Sequence, residues 1–67
     1  MNIGKIIRDL RKDKGLTQTQ LAQKISSTQD TISLWELGKS YPDIINLIKL
    51  SKFFGVSTDY MLGLKDF

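Results

Sequence analysis

The segment SSTQDTISLWELGK, Ser26 to Lys39, places Gln29, Asp30, Ser33 and Leu34 at outward positions of one short helix. Water alone would not call for that mixture. A glutamine amide matches the N6 donor and N7 acceptor that adenine shows in a major groove, and a good bidentate pair discriminates by ~1–3 kcal/mol. Asp30 can accept from cytosine N4, or it can simply stabilise the positive end of a helix dipole by ~0.3–1 kcal/mol. Leu34 stands about 200° round the helix from Ile32, so it should be exposed. There it can touch a thymine methyl, pack on another protein, or be an ordinary exposed leucine.

Other chemistries are thinly supplied. The 67 residues contain no cysteine and no histidine. That removes disulfides, thiolate and imidazole metal sites and histidine-based catalysis together. An enzyme would need carboxylates or lysines converging in a pocket, for which so small a chain offers little room. No cofactor, metal or small-molecule ligand is expected, so the chain is read as no enzyme. The apolar runs are too short to cross a membrane, and the basic start, MNIGKIIRDLRKDKG, has no secretory pattern. The expected location is the cytoplasm. Ten Lys and Arg against seven Asp and Glu leave a charge of +3, which permits a nucleic-acid partner without demanding one.

Those outward residues need elements to hold them. The punctuation divides the chain into five helical segments within a single domain, residues 1–67, with no strand pattern or repeat. In the first, Asn2 to Lys14, Ile3, Ile6, Ile7 and Leu10 share a face, Asn2 caps the start and Gly15 stops the end. The second runs from Thr17 to about Ile25. Thr17 and Gln20 form a capping box, and Leu16 with Leu21 a hydrophobic staple. The third is capped by Thr28 and stopped by Gly38, with Ile32 and Trp35 inward. The fourth follows Pro42: Asp43 caps it, and Ile44, Leu47, Ile48, Leu50 and Phe54 supply its apolar stripe up to Gly55. The fifth is capped by Ser57, stapled by Val56 and Met61, and ended by Gly63.

About three residues join the second and third segments. That is too short for an antiparallel hairpin and fits a helix-turn-helix over about residues 17–37, whose helices cross at roughly 90–120°. The second helix of such a unit, here about 28–37, is the one that enters a major groove.

LTQTQLAQKISSTQDTISLWELGK, Leu16 to Lys39, resembles the helix-turn-helix core of the Cro and phage-repressor family, also called XRE-type. The likeness continues through PDIINLIKLSKFFGVSTDYMLG and covers Ile3 to Gly63. The resemblance implies a compact, all-α, five-helix lambda-repressor-like domain that binds double-stranded operator DNA and regulates transcription. By the same resemblance, Gln18 meets a phosphate oxygen, and Thr28, Gln29 and Asp30 face phosphate or base edges. Ser33 and Leu34 reach bases, and Lys39 and Ser40 present backbone amides and a cation to the next phosphates. Arg11 and Glu36 match a buried ion pair between helices 1 and 3. Ser26 stands where the turn often has glycine, a left-handed position that costs an L-residue roughly 1–2 kcal/mol.

Ser26 to Gly38 holds two acids and no Lys or Arg. Phosphate attraction therefore has to come from Lys39, from helix N-termini, and from side chains such as Gln18, Lys24 or Arg8. That predicts weak monomer binding, which argues for a homodimer on two half-sites; the whole is read as a regulator expected to repress a promoter. Ile45, Phe53, Val56, Met61, Leu64 and Phe67 are either pairing surface or the completion of the core. The rival reading is a protein-interaction module that keeps the fold without base reading, with Leu34, Leu37 and Ile45 exposed together.

Overall fold

The computed structural model describes residues 2–66 and contains five helices. They are α1 (Ile3–Asp13), α2 (Gln18–Lys24), α3 (Gln29–Glu36), α4 (Ile44–Phe54) and α5 (Thr58–Met61). Four of the five starts are held by a side-chain oxygen. Thr17, Thr28, Asp43 and Ser57 accept from the backbone amides of Gln20, Thr31, Asn46 and Tyr60. At α2 the box is complete, because the Gln20 amide oxygen also accepts from the Thr17 backbone N–H. Asn2 is the exception. Its φ of −109° and ψ of 39° lie away from the extended geometry of the other caps, and its side chain makes no capping bond.

The core is drawn from every helix. Ile3 and Ile7 of α1 meet Leu21 and Ala22 of α2, the adjoining Ile25, Ile32 and Trp35 of α3, Leu50 and Phe54 of α4, and Met61 of α5. Half-buried Ile6, Leu10, Leu47, Phe53, Val56 and Leu62 pack round them. Trp35 is therefore a core residue. So is Met61, while Phe53 and Val56 complete the core edge and Leu64 lies exposed. Phe67 lies outside the described residues.

The stripe expected on α4 is shorter than its sequence suggests. Leu47, Leu50 and Phe54 face inward, but Ile44 and Ile48 are 76% and 42% exposed. The spacing that puts Ile44 on the inner face is correct for a helix; among the described residues, no element lies over the first turns of α4. Ile45 is exposed beside them, as are Leu37 and Tyr41.

Two backbone features hold α3 against its neighbours. Gly4 of α1 lies directly against the Trp35 and Glu36 carbonyls, so that even a methyl group there would overlap the Trp35 oxygen. At the turn between α2 and α3, Ser26 has φ 57°. It closes α2 with a double bond pattern, Ser26 N–H to the Gln23 carbonyl and Ser27 N–H to the Ala22 carbonyl. That closure normally recruits glycine at the left-handed residue. Lys49 of α4 reaches the same helix end, donating to the Ile25 carbonyl at 3.4 Å.

Ser26→Gly should relieve the left-handed strain of roughly 1–2 kcal/mol against roughly 0.5–1 kcal/mol of added chain entropy. The expected net gain of about 0.5–1 kcal/mol would raise the thermal midpoint by several degrees, at about 4–8 °C per kcal/mol in a domain this size. An unchanged or lowered midpoint would mean that the serine side chain compensates the strain.

Candidate nucleic-acid interface

A polar relay runs from the buried side of α1 to the outer start of α3. Its root is the Arg11–Glu36 pair, with side chains only 11% and 4% exposed. Arg11 donates through Nε to Glu36 Oε2 at 2.7 Å, and through Nη2 to Oε1 at 2.9 Å. Its Nη1 donates to the Leu16 carbonyl at 2.9 Å, so the same guanidinium also fastens the loop ahead of α2. The hydrogen bond with Glu36 holds the Arg11 guanidinium above its already high ordinary pKa, against the opposing effect of burial. The fork geometry of arginine suits such a planar, two-bonded pairing.

From Glu36 the relay turns outward. Gln18 Nε2 donates to Glu36 Oε1 at 3.1 Å, and Gln29 Nε2 donates to Gln18 Oε1 at 2.7 Å. The order of atoms follows from chemistry. An ionised carboxylate only accepts, so Gln18 turns its NH2 toward Glu36. Its oxygen then faces Gln29, which turns its own NH2 inward. Gln29 is left with one amide hydrogen and its carbonyl oxygen, a donor and an acceptor side by side at the first position of α3. No buried side-chain nitrogen or oxygen among the described residues lacks a partner.

The other residues singled out in the sequence separate into spent and unspent groups. The Thr28 hydroxyl accepts from the Thr31 backbone N–H at 3.3 Å and shares a 2.8 Å bond with the Thr31 hydroxyl, so most of its capacity goes into the cap. Asp30 is exposed in the first turn of α3. Ser33 is half-buried, and Leu34 is 43% exposed one turn on from Gln29 and Asp30. At the far end, Gly38 takes φ 74°, and its N–H donates to the Trp35 carbonyl. The backbone amides of Lys39 and Ser40 both donate to the Leu34 carbonyl, at 3.0 and 3.4 Å. Both amides close α3 in this structure. The Lys39 ammonium and the Ser40 hydroxyl remain.

Sequence reasoning placed Arg11 beside Glu36 only by resemblance, and it assigned Gln18 to phosphate alone. It missed Gly4, whose signal was available as a lone glycine inside a helical pattern.

The sequence and the fold are similar to those of known proteins. The Helix-turn-helix family profile matches residues 7–61. The HTH-type transcriptional activator BcrR of Enterococcus faecalis is 42% identical over 94% of this chain and 31% of its own length. The HTH-type transcriptional regulator ImmR of Bacillus subtilis is 38% identical over 94% of this chain and 50% of its own. The chain thus spans half or less of these two relatives. Among solved structures, the P22 c2 repressor in complex with a synthetic operator superposes with a TM-score of 0.90 at 32% identity, covering 97% of this chain and 98% of that one.

Replacing Glu36 by Gln should destabilise the domain by ~3–5 kcal/mol, because it leaves the Arg11 charge half-buried without its partner. The double replacement Arg11→Met with Glu36→Leu should recover part of that loss, since an apolar pair avoids the desolvation penalty while Gln18 Nε2 and the Leu16 carbonyl lose their partners. Urea unfolding of the three proteins checks both. Equal stability of Glu36→Gln and the parent would show that the pair contributes nothing to folding.

Proposed function

Because the chain belongs to the Helix-turn-helix family, matched over residues 7–61, we propose that it is a sequence-specific double-stranded-DNA-binding transcriptional regulator. In this reading α3 enters the major groove, α2 positions it, and the α3–α4 loop sits against the backbone. The observation that carries it is the orientation of Gln29. Its free donor and acceptor match adenine N7 and N6 as a bidentate pair, and the relay from Glu36 fixes that direction before any base arrives. Ser33 and Leu34 add the next base contacts, Asp30 limits which bases are accepted, and Gln18, Lys39 and Ser40 take phosphates.

The size of the domain supports a homodimer. The longest extent of the domain is 27 Å, short of the ~34 Å between successive major-groove faces. Two copies would let two α3 helices read two half-sites. The apolar surface of Tyr41, Ile44, Ile45 and Ile48, exposed beside the α3–α4 loop, supports self-association. A two-fold interface uses one patch twice. Relatives include an activator and a repressor by name; steric occlusion of a promoter by the bound pair makes repression the favoured mode. The exposure of Leu34, Leu37 and Ile45 together favours a second reading, a protein-interaction module that has lost base reading.

Selection of bound duplexes from a random pool should enrich a two-fold symmetric site with half-sites about one turn apart. Gln29→Ala should then relax the preference at one base pair per half-site by ~1–3 kcal/mol while the thermal midpoint stays within a degree or two. A folded protein that binds no duplex would instead support the interaction module, and enrichment of an asymmetric single site would refute the homodimer.

A further inference from the structure

The ten lysines and arginines of the chain do not all serve the same purpose. Arg11 is consumed by Glu36. Lys5 pairs with Asp9 at 2.8 Å and holds that carboxyl below its usual range. Lys14 lies over the Phe53 ring, Lys49 donates to the Ile25 carbonyl, and Lys65 approaches Asp59. Among the described residues, Arg8, Lys12, Lys24, Lys39 and Lys52 keep side chains outside any hydrogen bond or ion pair. Two of these, Arg8 and Lys12, are one helical turn apart on α1 and line the same cleft. It is an open cleft of about 330 Å³ between α1 and α3, bounded also by Arg11, Gln18, Ser33, Glu36 and Leu37.

The chemistry of that cleft is one-sided. Arg8 and Lys12 carry donors only. Gln18 has spent its oxygen and one amide hydrogen, leaving a donor. Ser33 has a hydroxyl. The one carboxylate, Glu36, is already bonded to Arg11 and Gln18. A group that fits must be compact, anionic and rich in acceptors, and Leu37 gives it an apolar wall rather than a competing charge. We propose that the α1–α3 cleft is a phosphate site, with Arg8 and Lys12 as its clamp, and that it takes a backbone phosphodiester of the same duplex that α3 reads. Ser33 lies one turn beyond Gln29, and Gln18 is bonded to Gln29. A duplex strand edging the groove therefore runs past the cleft mouth. The assignment rests on the DNA-binding reading above, and it supplies the cations that α3 itself lacks.

The test compares the parent with Arg8→Gln/Lys12→Gln and with Lys52→Gln/Lys65→Gln on the selected duplex across a salt series. Both pairs are exposed, and melting curves confirm folding. Each phosphate contact adds about 0.9 to the slope of log affinity against log salt. The first variant should lose about one contact's worth of slope, a roughly 3- to 4-fold smaller loss of affinity between 50 and 200 mM salt. Its preferred sequence should be unchanged, and the second variant should keep more of the parent's slope. An unaltered slope in the first variant overturns the site while leaving base reading intact. Inorganic phosphate titrated at ionic strength matched with chloride should leave the Arg8 side-chain NMR signal in place. A saturable shift that leaves duplex affinity unchanged would overturn the strand assignment in favour of a free anion. A folded parent that binds no duplex overturns this proposal along with the reading it rests on.

Discussion

The Glu36 carboxylate has no hydrogen to give, and that fact sets the direction of every hydrogen bond that reaches it. Arg11 supplies two donors from α1 and Gln18 a third from α2. One side chain at the end of α3 thereby ties three helices together and decides which way two amides point. In water such orientation would be lost to competing donors. Here the pair is nearly enclosed, and each bond is shielded enough to hold direction as well as distance. Enclosing two charges is costly unless their geometry is good, and the additional bond from Arg11 to the Leu16 carbonyl spends part of the remaining donor capacity on the fold itself.

Packing then has to deliver Glu36 to Arg11. The approach of α1 to the Trp35 and Glu36 carbonyls is possible because residue 4 carries no Cβ. On the other side, the left-handed Ser26 turns the chain sharply enough to bring the start of α3 beside the start of α2. These starts are the positions of Gln29 and Gln18. The short connection, the close helix crossing and the relay are thus successive consequences of one arrangement, with local strain at Ser26 tolerated because the core of Leu21, Ile25, Ile32 and Trp35 fixes both helices round it.

Much of this is legible in the sequence. Helix starts were clear because Thr17, Thr28, Asp43 and Ser57 act locally, through amides three residues away, and Asn2 failed because its backbone never took the extended cap conformation. The inward faces of α2 and α3 followed from spacing. The face of α4 did not, because periodicity tells which residues share a side and not how far along the helix a neighbour covers it; Ile44 is the case in point. Of the candidate site, the types at positions 28 to 34 could be read directly. The Gln29–Gln18–Glu36 connection could not, since it joins side chains 11 and 18 residues apart in sequence. The consumption of the Lys39 and Ser40 amides was likewise hidden in the way α3 ends.

The relay also divides the outer face of α3 into two kinds of position. Gln29 is bound into a network, so exchanging it leaves the fold standing but releases the Gln18 amide from the orientation in which it is held. Ser33 and Leu34 have no such debts among the described residues. Over evolutionary time a duplicated copy of this chain could therefore drift toward new partners by ordinary single substitutions at 33 and 34. Innovation at 29 would require a matching change at 18, and such paired steps are rarer. Divergence among descendants should accumulate unevenly along one helix, quick in its middle and slow at its first residue.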